Sequence, residues 1–164
     1  NVISEIEKEL KRAISLSGFK NGAVNIEVRI SKTGEIYIME IGPRSGGNFV
    51  PQVINYATGF DMICASLDLF ENKKIIILNS KKNHAAYYVL HNDKEGVLKD
   101  ISLAEEIKKY IKEFHQYIHP GGKVYSFQGA NAAIGVLLLL FSSQEEMDYY
   151  IDNMNKFVEI QLEA

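Results

Sequence analysis

Between Val24 and Ile30 apolar and polar residues alternate, with Val24, Ile26, Val28 and Ile30 on one side and Asn25, Glu27 and Arg29 on the other. A period of two predicts a strand with one wet face. Ser31-Lys32-Thr33-Gly34 supplies turn residues, and Ile36 to Ile41 returns as a second strand, so an antiparallel hairpin is expected. Directly opposed residues share a sheet face. With Ser31 opposite Gly34, Glu27 faces Ile38, Glu40 faces Asn25, and Asn25, Glu27 and Glu40 line one face. With a loop of Lys32-Thr33-Gly34, Ser31 instead opposes Glu35, and the one-residue slip carries Glu40 to the other face. The first register is the expectation.

The same patterning runs through the rest of the chain. Ile3, Ile6, Leu10, Ala13 and Ser17 fall on one face of a helix that Gly18 would stop and that should pack beside the Glu27 strand. Val50 to Tyr56 predicts a short helix with Pro51 in its first turn. Asp61 to Phe70 predicts another, capped by Asp61, with Ile63, Leu67 and Phe70 facing inward. Residues 72–82 mark a seam, in which Ile75-Ile76-Ile77-Leu78 reads equally as a helix end or a short strand. Beyond it, Ala85 to His91 and Gly96 to Lys99 read as strands. Ser102 to Phe114 reads as a helix, with Ser102 and Glu105 as a capping box. A turn at His119-Pro120-Gly121-Gly122 leads into a strand from Lys123 to Phe127. Ile134 to Phe141 is a fully apolar, central strand. Ser143 caps a last helix carrying Met147, Tyr150, Ile151, Met154 and Phe157 or Val158 at helical spacing. The expected fold class is α+β, with a first domain over 1–80 and a small β-β-α-β-β-α domain over 81–164.

Composition excludes more than it selects. A chain of 164 residues fits one or two small domains. Its net charge of −3 and scattered lysines argue against a nucleic-acid partner. The longest apolar run, Ile134 to Phe141, is too short to cross a bilayer, so no membrane is expected. The single cysteine, Cys64, has no internal disulfide partner and implies a reducing, cytoplasmic setting. Its apolar-periodic context predicts a buried, inert thiol. His84, His91, His115 and His119 lack metal-ligand spacing.

The candidate chemistry gathers in the hairpin and the loop after it. Two carboxylates converging from neighbouring strands repel unless a cation or proton sits between them. Hard oxygen ligands without His or Cys suit magnesium or manganese shared with substrate phosphates. Arg44 offers a planar, permanently charged fork for phosphate or carboxylate. Gly46 and Gly47 let backbone amides approach an anion closely. The competing reading is a hairpin with exposed glutamates and a surface arginine.

The run from Glu27 through Gly34-Glu35-Ile36-Tyr37-Ile38-Met39-Glu40-Ile41-Gly42-Pro43-Arg44-Ser45-Gly46-Gly47, continuing through Pro51 to Ala57-Thr58-Gly59-Phe60-Asp61, resembles the C-terminal catalytic segment of the ATP-grasp superfamily. These are ATP-dependent ligases that activate a carboxylate as an acyl phosphate. The resemblance implies that Glu27 and Glu40 bind magnesium (or manganese) bridging the ATP phosphates. It implies that Arg44 stabilises the transferring phosphoryl group and the tetrahedral intermediate. Many members read Glu-x-Asn-x-Arg, the asparagine being a further metal-side ligand; Gly42 stands there in this chain, which puts a second metal site in question. The resemblance covers roughly the first seventy residues. The remainder is similar to the small C-terminal domain of amino-acid ligases and related carboxylate–amine ligases, through Gly96-Val97-Leu98, Pro120-Gly121 and Ile134-Gly135.

The resemblance implies ATP, a small carboxylate and an amine as partners, together with the remainder of the protein's own chain, and leaves a homodimer open. The chain begins at Asn1 in mid-helix context. No glycine-rich phosphate loop or strand-borne lysine pair precedes Glu27. A C-terminal fragment of a ligase, inactive alone, is therefore the expectation. A bicarbonate-activating or carbamoyl-phosphate-type enzyme and a non-catalytic assembly module are the rival readings.

Overall fold

The structure is a computed structural model that describes residues 2–77 and 82–163. It divides into two compact units, residues 1–51 with 60–78 and residues 52–59 with 79–164.

The first unit opens with helix α1 (Val2–Ser17). Its principal strand contact is with the returning strand of the hairpin rather than with the Glu27 strand. The hairpin itself is β1 (Asn25–Ile30) and β2 (Ile36–Gly42). Helix α2 (Val50–Thr58) begins in this unit, carries Pro51 in its first turn and ends in the second unit. Helix α3 (Met62–Phe70) is capped by Asp61, whose Oδ1 accepts from the amides of Ile63 and Cys64, both at 2.9 Å. Those amide donors, Cys64 first, hold the Asp61 carboxyl below the usual carboxylate range.

No residue of α1, α3 or the hairpin is fully buried. Ile63, Leu67 and Phe70, expected to face inward, are 49, 61 and 88% exposed. Cys64 is exposed as well. The half-buried side of α3 instead carries Met62, Ala65 and Leu69 with Ser66 and Asp68, so apolar residues lie on both sides and periodicity alone did not tell which one packs. The neighbouring Asp61 carboxylate raises the Cys64 pKa, which keeps it a thiol and argues against a nucleophile. Ile75, Ile76 and Ile77 form no regular element. Leu78, the last of that apolar four, lies outside the described residues.

The second unit holds the core. Strands β3 (His84–Leu90) and β5 (Ile111–Gln116) flank β7 (Gly135–Phe141). Strands β6 (Lys123–Val124) and β8 (Val158–Glu163) flank β4 (Gly96–Leu103). Both three-stranded sheets are antiparallel. A one-turn helix α4 (Glu105–Lys108) joins β4 to β5, and α5 (Gln144–Asp152) follows β7. As its unbroken apolar run predicts, β7 is central: Leu137, Leu138 and Leu139 are fully enclosed. Leu90, Leu98, Ile107, Val124, Ile134 and Met154 pack into the same core.

Two expected elements do not form. Residues 102–114 are not one helix: Ser102 belongs to β4 and donates to Asp100, so the capping box is absent. Ala104 stands at the N-cap without a side-chain bond. From Ile111 the chain pairs with β7 instead. Ile107 and Tyr110 are buried all the same, because sheet pairing overrode helix propensity without moving them off the core. The strand expected over Lys123 to Phe127 shortens to two residues. The last helix ends at Asp152 and is followed by β8, where Val158, Ile160 and Leu162 alternate with polar residues. Ser143 does cap α5, its Oγ accepting from the Glu146 amide at 3.2 Å.

The C-terminal end of α2 is bolted into this unit. Tyr56 donates to Glu113 Oε1 at 2.6 Å, and His115 Nε2 meets Glu113 Oε2 at 2.7 Å. Asn83 donates its amide to Tyr56 O at 3.0 Å. The Tyr56 hydroxyl and then His115 hold the Glu113 carboxyl below its ordinary range.

Two predictions follow from this packing. Leu137→Ala should cost about 3 kcal/mol in urea unfolding, whereas Leu67→Ala, on the open face of α3, should cost less than about 0.5 kcal/mol. The depressed Glu113 group contributes stability above its unfolded pKa and loses it as pH falls through its lower folded value. Thermal melts of the wild type should therefore drop more steeply on acidification than those of Glu113→Gln. Parallel curves would remove Glu113 from the acid response.

Candidate active site: a bulged carboxylate pair and its glycine loop

The turn that forms is the longer one. Ser31 N donates to Glu35 O at 2.9 Å, and Ser31 Oγ accepts from the amides of Thr33 and Glu35. From this turn Ile30 pairs with Ile36, Arg29 with Tyr37 and Val28 with Ile38. Continued unbroken, that ladder would place Glu40 on the face opposite Glu27. It is not continued. The register shifts between Glu27 and Val28, leaving Met39 as an extra residue, and Glu27 pairs directly with Glu40. Ile26 then pairs with Ile41 and Asn25 with Gly42. The register expected from a tighter turn is thus wrong in detail, yet the bulge restores the shared face. Asn25, Glu27 and Glu40 lie together, joined by Arg29 and Tyr37 one pair further on.

This face is open. Glu27 and Glu40 side chains are 57 and 63% exposed. Arg29 Nε lies 3.7 Å from Glu27 Oε1, and Arg44 Nη2 lies 4.0 Å from Glu40 Oε1. Each carboxylate therefore has its own guanidinium neighbour, in contacts too exposed to contribute much stability. Among the described residues no group of three or more His, Cys, Asp or Glu side chains is placed to hold a metal ion. The acidic contribution is this pair.

After β2 the chain turns tightly, Arg44 N donating to Gly42 O at 2.8 Å. Gly46 has φ +88°, and a Cβ there would stand 3.3 Å from Val50 Cβ and 3.4 Å from Asn25 Oδ1. Glycine is required both by the left-handed backbone and by the close approach of the β1 asparagine. Asn48 and Phe49 follow with φ of 51° and 61°. Asparagine tolerates that region; phenylalanine does so at a cost, and such strain concentrates at functional sites. Nothing in the sequence announced Phe49. Arg44 also borders a cavity of about 480 Å³ with Phe19, Ala23, Leu69 and Phe70 among its walls. Arg29, Tyr37 and these cavity residues were missed by sequence reasoning, since only the register and the loop path bring them to the site.

Comparison with solved structures places this arrangement. Over 99% of its length the chain superposes on phosphoribosylglycinamide synthetase from Anaerococcus prevotii (TM-score 0.84, 20% identity), covering 42% of that chain. It superposes equally on L-amino acid ligase from Bacillus licheniformis (TM-score 0.85, 22% identity, 99% of this chain and 43% of that one). N5-carboxyaminoimidazole ribonucleotide synthetase from Thermotoga maritima matches at TM-score 0.68 and 16% identity, over 98% of this chain and 43% of that one. All three are ATP-grasp ligases.

The chain has the fold of the C-terminal part of an ATP-grasp ligase.

It spans less than half the length of these ATP-grasp proteins. No protein-family model matches the sequence, and no curated protein does. No helix among the described residues is long and apolar enough to cross a membrane.

Gly46→Ala should destabilise the chain by about 1–2 kcal/mol. Gly47→Ala, whose Cβ would meet nothing within 4 Å, should cost less. Thermal unfolding of the two variants side by side checks the ordering.

Proposed function

We propose that this chain carries the metal- and phosphate-handling end of the active site of an ATP-dependent carboxylate–amine ligase. The observation that carries the reading is the bulge that sets Glu27 against Glu40 with Arg44 beside Glu40. The donor set fits the group it would hold: two hard carboxylates on one open face suit magnesium or manganese and exclude the softer N/S sites of zinc. Bound there with ATP, the metal would neutralise phosphate charge.

The chain's own residues have distinct parts. Glu27 and Glu40 hold the cation. Arg44, with the amides of Gly46 and Gly47, stabilises charge that develops on the transferring phosphoryl group and on the tetrahedral intermediate. In the overall reaction a carboxylate oxygen takes the terminal phosphoryl group and ADP leaves. The amine nitrogen then attacks the acyl carbon, loses a proton and displaces phosphate. The chain spans 42–43% of the ligases it resembles, and the proposed activity is that of its assembly with the rest of such an enzyme. Alone it should turn over ATP poorly, since phosphoryl transfer depends on complete positioning.

The choice of an amine acceptor over bicarbonate rests on the two structural neighbours of higher TM-score, one of them named as an L-amino acid ligase. An exposed lone thiol at Cys64 suits a reducing, cytoplasmic setting.

In the assembled enzyme Arg44→Ala should lower kcat on the order of 100-fold with little change in folding, and Arg44→Lys should not rescue it, because the planar fork is lost. Steady-state kinetics and thermal melts on the same preparations decide this. Activity near wild type would make Arg44 a surface residue and favour the assembly-module reading.

A further inference from the structure

The second unit holds a cavity of its own. Strands β3 and β8 are outer strands of their two sheets, and both contribute to one cavity of about 360 Å³. Alternation puts Tyr88 and Leu90 on one face of β3, and Val158 and Ile160 on one face of β8. All four line the cavity, together with Met154. Leu90 and Met154 are each 1% exposed and form its apolar floor. The mouth is the turn after β3, where His91, Asn92, Asp93 and Lys94 stand.

That turn is held before any ligand arrives. Asn92 Oδ1 accepts from the Lys94 amide, and Asn92 O from the Phe127 amide, both at 2.9 Å. His91 packs on Phe127 with ring centroids 4.3 Å apart. Its Nδ1 lies 3.1 Å from Val89 O. A carbonyl only accepts, so the proton is on Nδ1, and Nε2 of the neutral ring is left as an acceptor. Among the described residues Asp93 and Lys94 have no ion-pair partner, and the Tyr88 hydroxyl has no hydrogen bond. Burial alone raises the Tyr88 pKa. An apolar floor, a half-buried phenol without a protein partner and opposite charges at a fixed mouth are the composition of a small-molecule site.

We propose that this cavity binds a free α-amino acid with an apolar side chain. The side chain lies on Leu90 and Met154, between β3 and β8. The carboxylate meets Lys94 and the Tyr88 hydroxyl, and the ammonium meets Asp93 and His91 Nε2. Opposite charges on adjacent residues of one held turn match the two charges that an amino acid carries on a single carbon. A ligand with only one charge leaves the other residue unanswered. Every residue invoked belongs to the second unit, so the inference does not rest on the carboxylate pair of the hairpin.

The test is an NMR titration of the whole 164-residue chain with L-leucine and three relatives that each lack one feature. These are 4-methylpentanoate (no ammonium), 3-methylbutylamine (no carboxylate) and glycine (no apolar side chain). L-Leucine should bind saturably and shift the Met154 methyl resonance, and each relative should bind about tenfold more weakly or worse. Asp93→Asn should weaken L-leucine about tenfold and leave 4-methylpentanoate unchanged. Lys94→Gln should weaken L-leucine as much and leave 3-methylbutylamine unchanged. Tyr88→Phe, which keeps the ring, should weaken L-leucine and 4-methylpentanoate alike. An unfolded variant would instead lose every probe, and its spectrum would show it. No saturable L-leucine binding by the wild type overturns the inference. So does binding that Asp93→Asn and Lys94→Gln both leave intact. Binding abolished by Glu27→Gln would place the amino acid at the hairpin and overturn it too, whereas failure of the hairpin as a metal site would leave L-leucine binding here as it is.

Discussion

One extra residue in β2 governs the candidate site. Without the bulge opposite Glu27, the turn actually formed at Ser31 to Glu35 would send Glu27 and Glu40 to opposite faces of the hairpin. With it, two carboxylates meet head-on, and the strand beyond them delivers Gly42, Arg44 and the glycine loop to the same place. A period-two element has no graded response to a register error, so only a whole-residue change corrects one, and here that change is the bulge. The site therefore depends on backbone pairing before it depends on any side-chain chemistry.

The two units are built on different principles. The second has a packed core centred on β7, with leucines enclosed on both faces and aromatic rings of Tyr110, Phe141 and Tyr150 clustered at 4.8–6.0 Å. Among the described residues the first has no fully buried side chain, and its acidic face lies in solvent. Binding groups need access and electrostatic freedom, whereas a core needs exclusion of water. Helix α2 belongs to both arrangements: it starts where the glycine loop ends, and Tyr56 near its other end is held by Glu113.

The strained backbone at Asn48 and Phe49 belongs to the same picture. Two consecutive left-handed residues after a glycine turn are costly, and such a conformation persists only where its surroundings over-determine it. The Gly47–Val50 hydrogen bond that starts α2 closes over this pair.

Much of this was legible in the residues. The alternation around Glu27 fixed a hairpin, Asp61 and Ser143 announced helix starts, and the unbroken apolar run at 134–141 named the central strand. These are local properties, set by side-chain period and by capping chemistry. The chemistry of Glu27, Glu40 and Arg44 was likewise legible, because hard oxygens and a guanidinium imply the same partners wherever they meet. Tertiary structure alone decided whether they meet, through a bulge that no composition or period encodes. It also turned 111–116 and 158–163 into strands, because β7 and β4 offered long-range hydrogen-bonding edges that outweigh a local helical period. And it left Cys64 and Leu67 exposed while half-burying Met62, Ala65 and Leu69, since a helix with apolar residues on both of these sides does not say which one will find a neighbour.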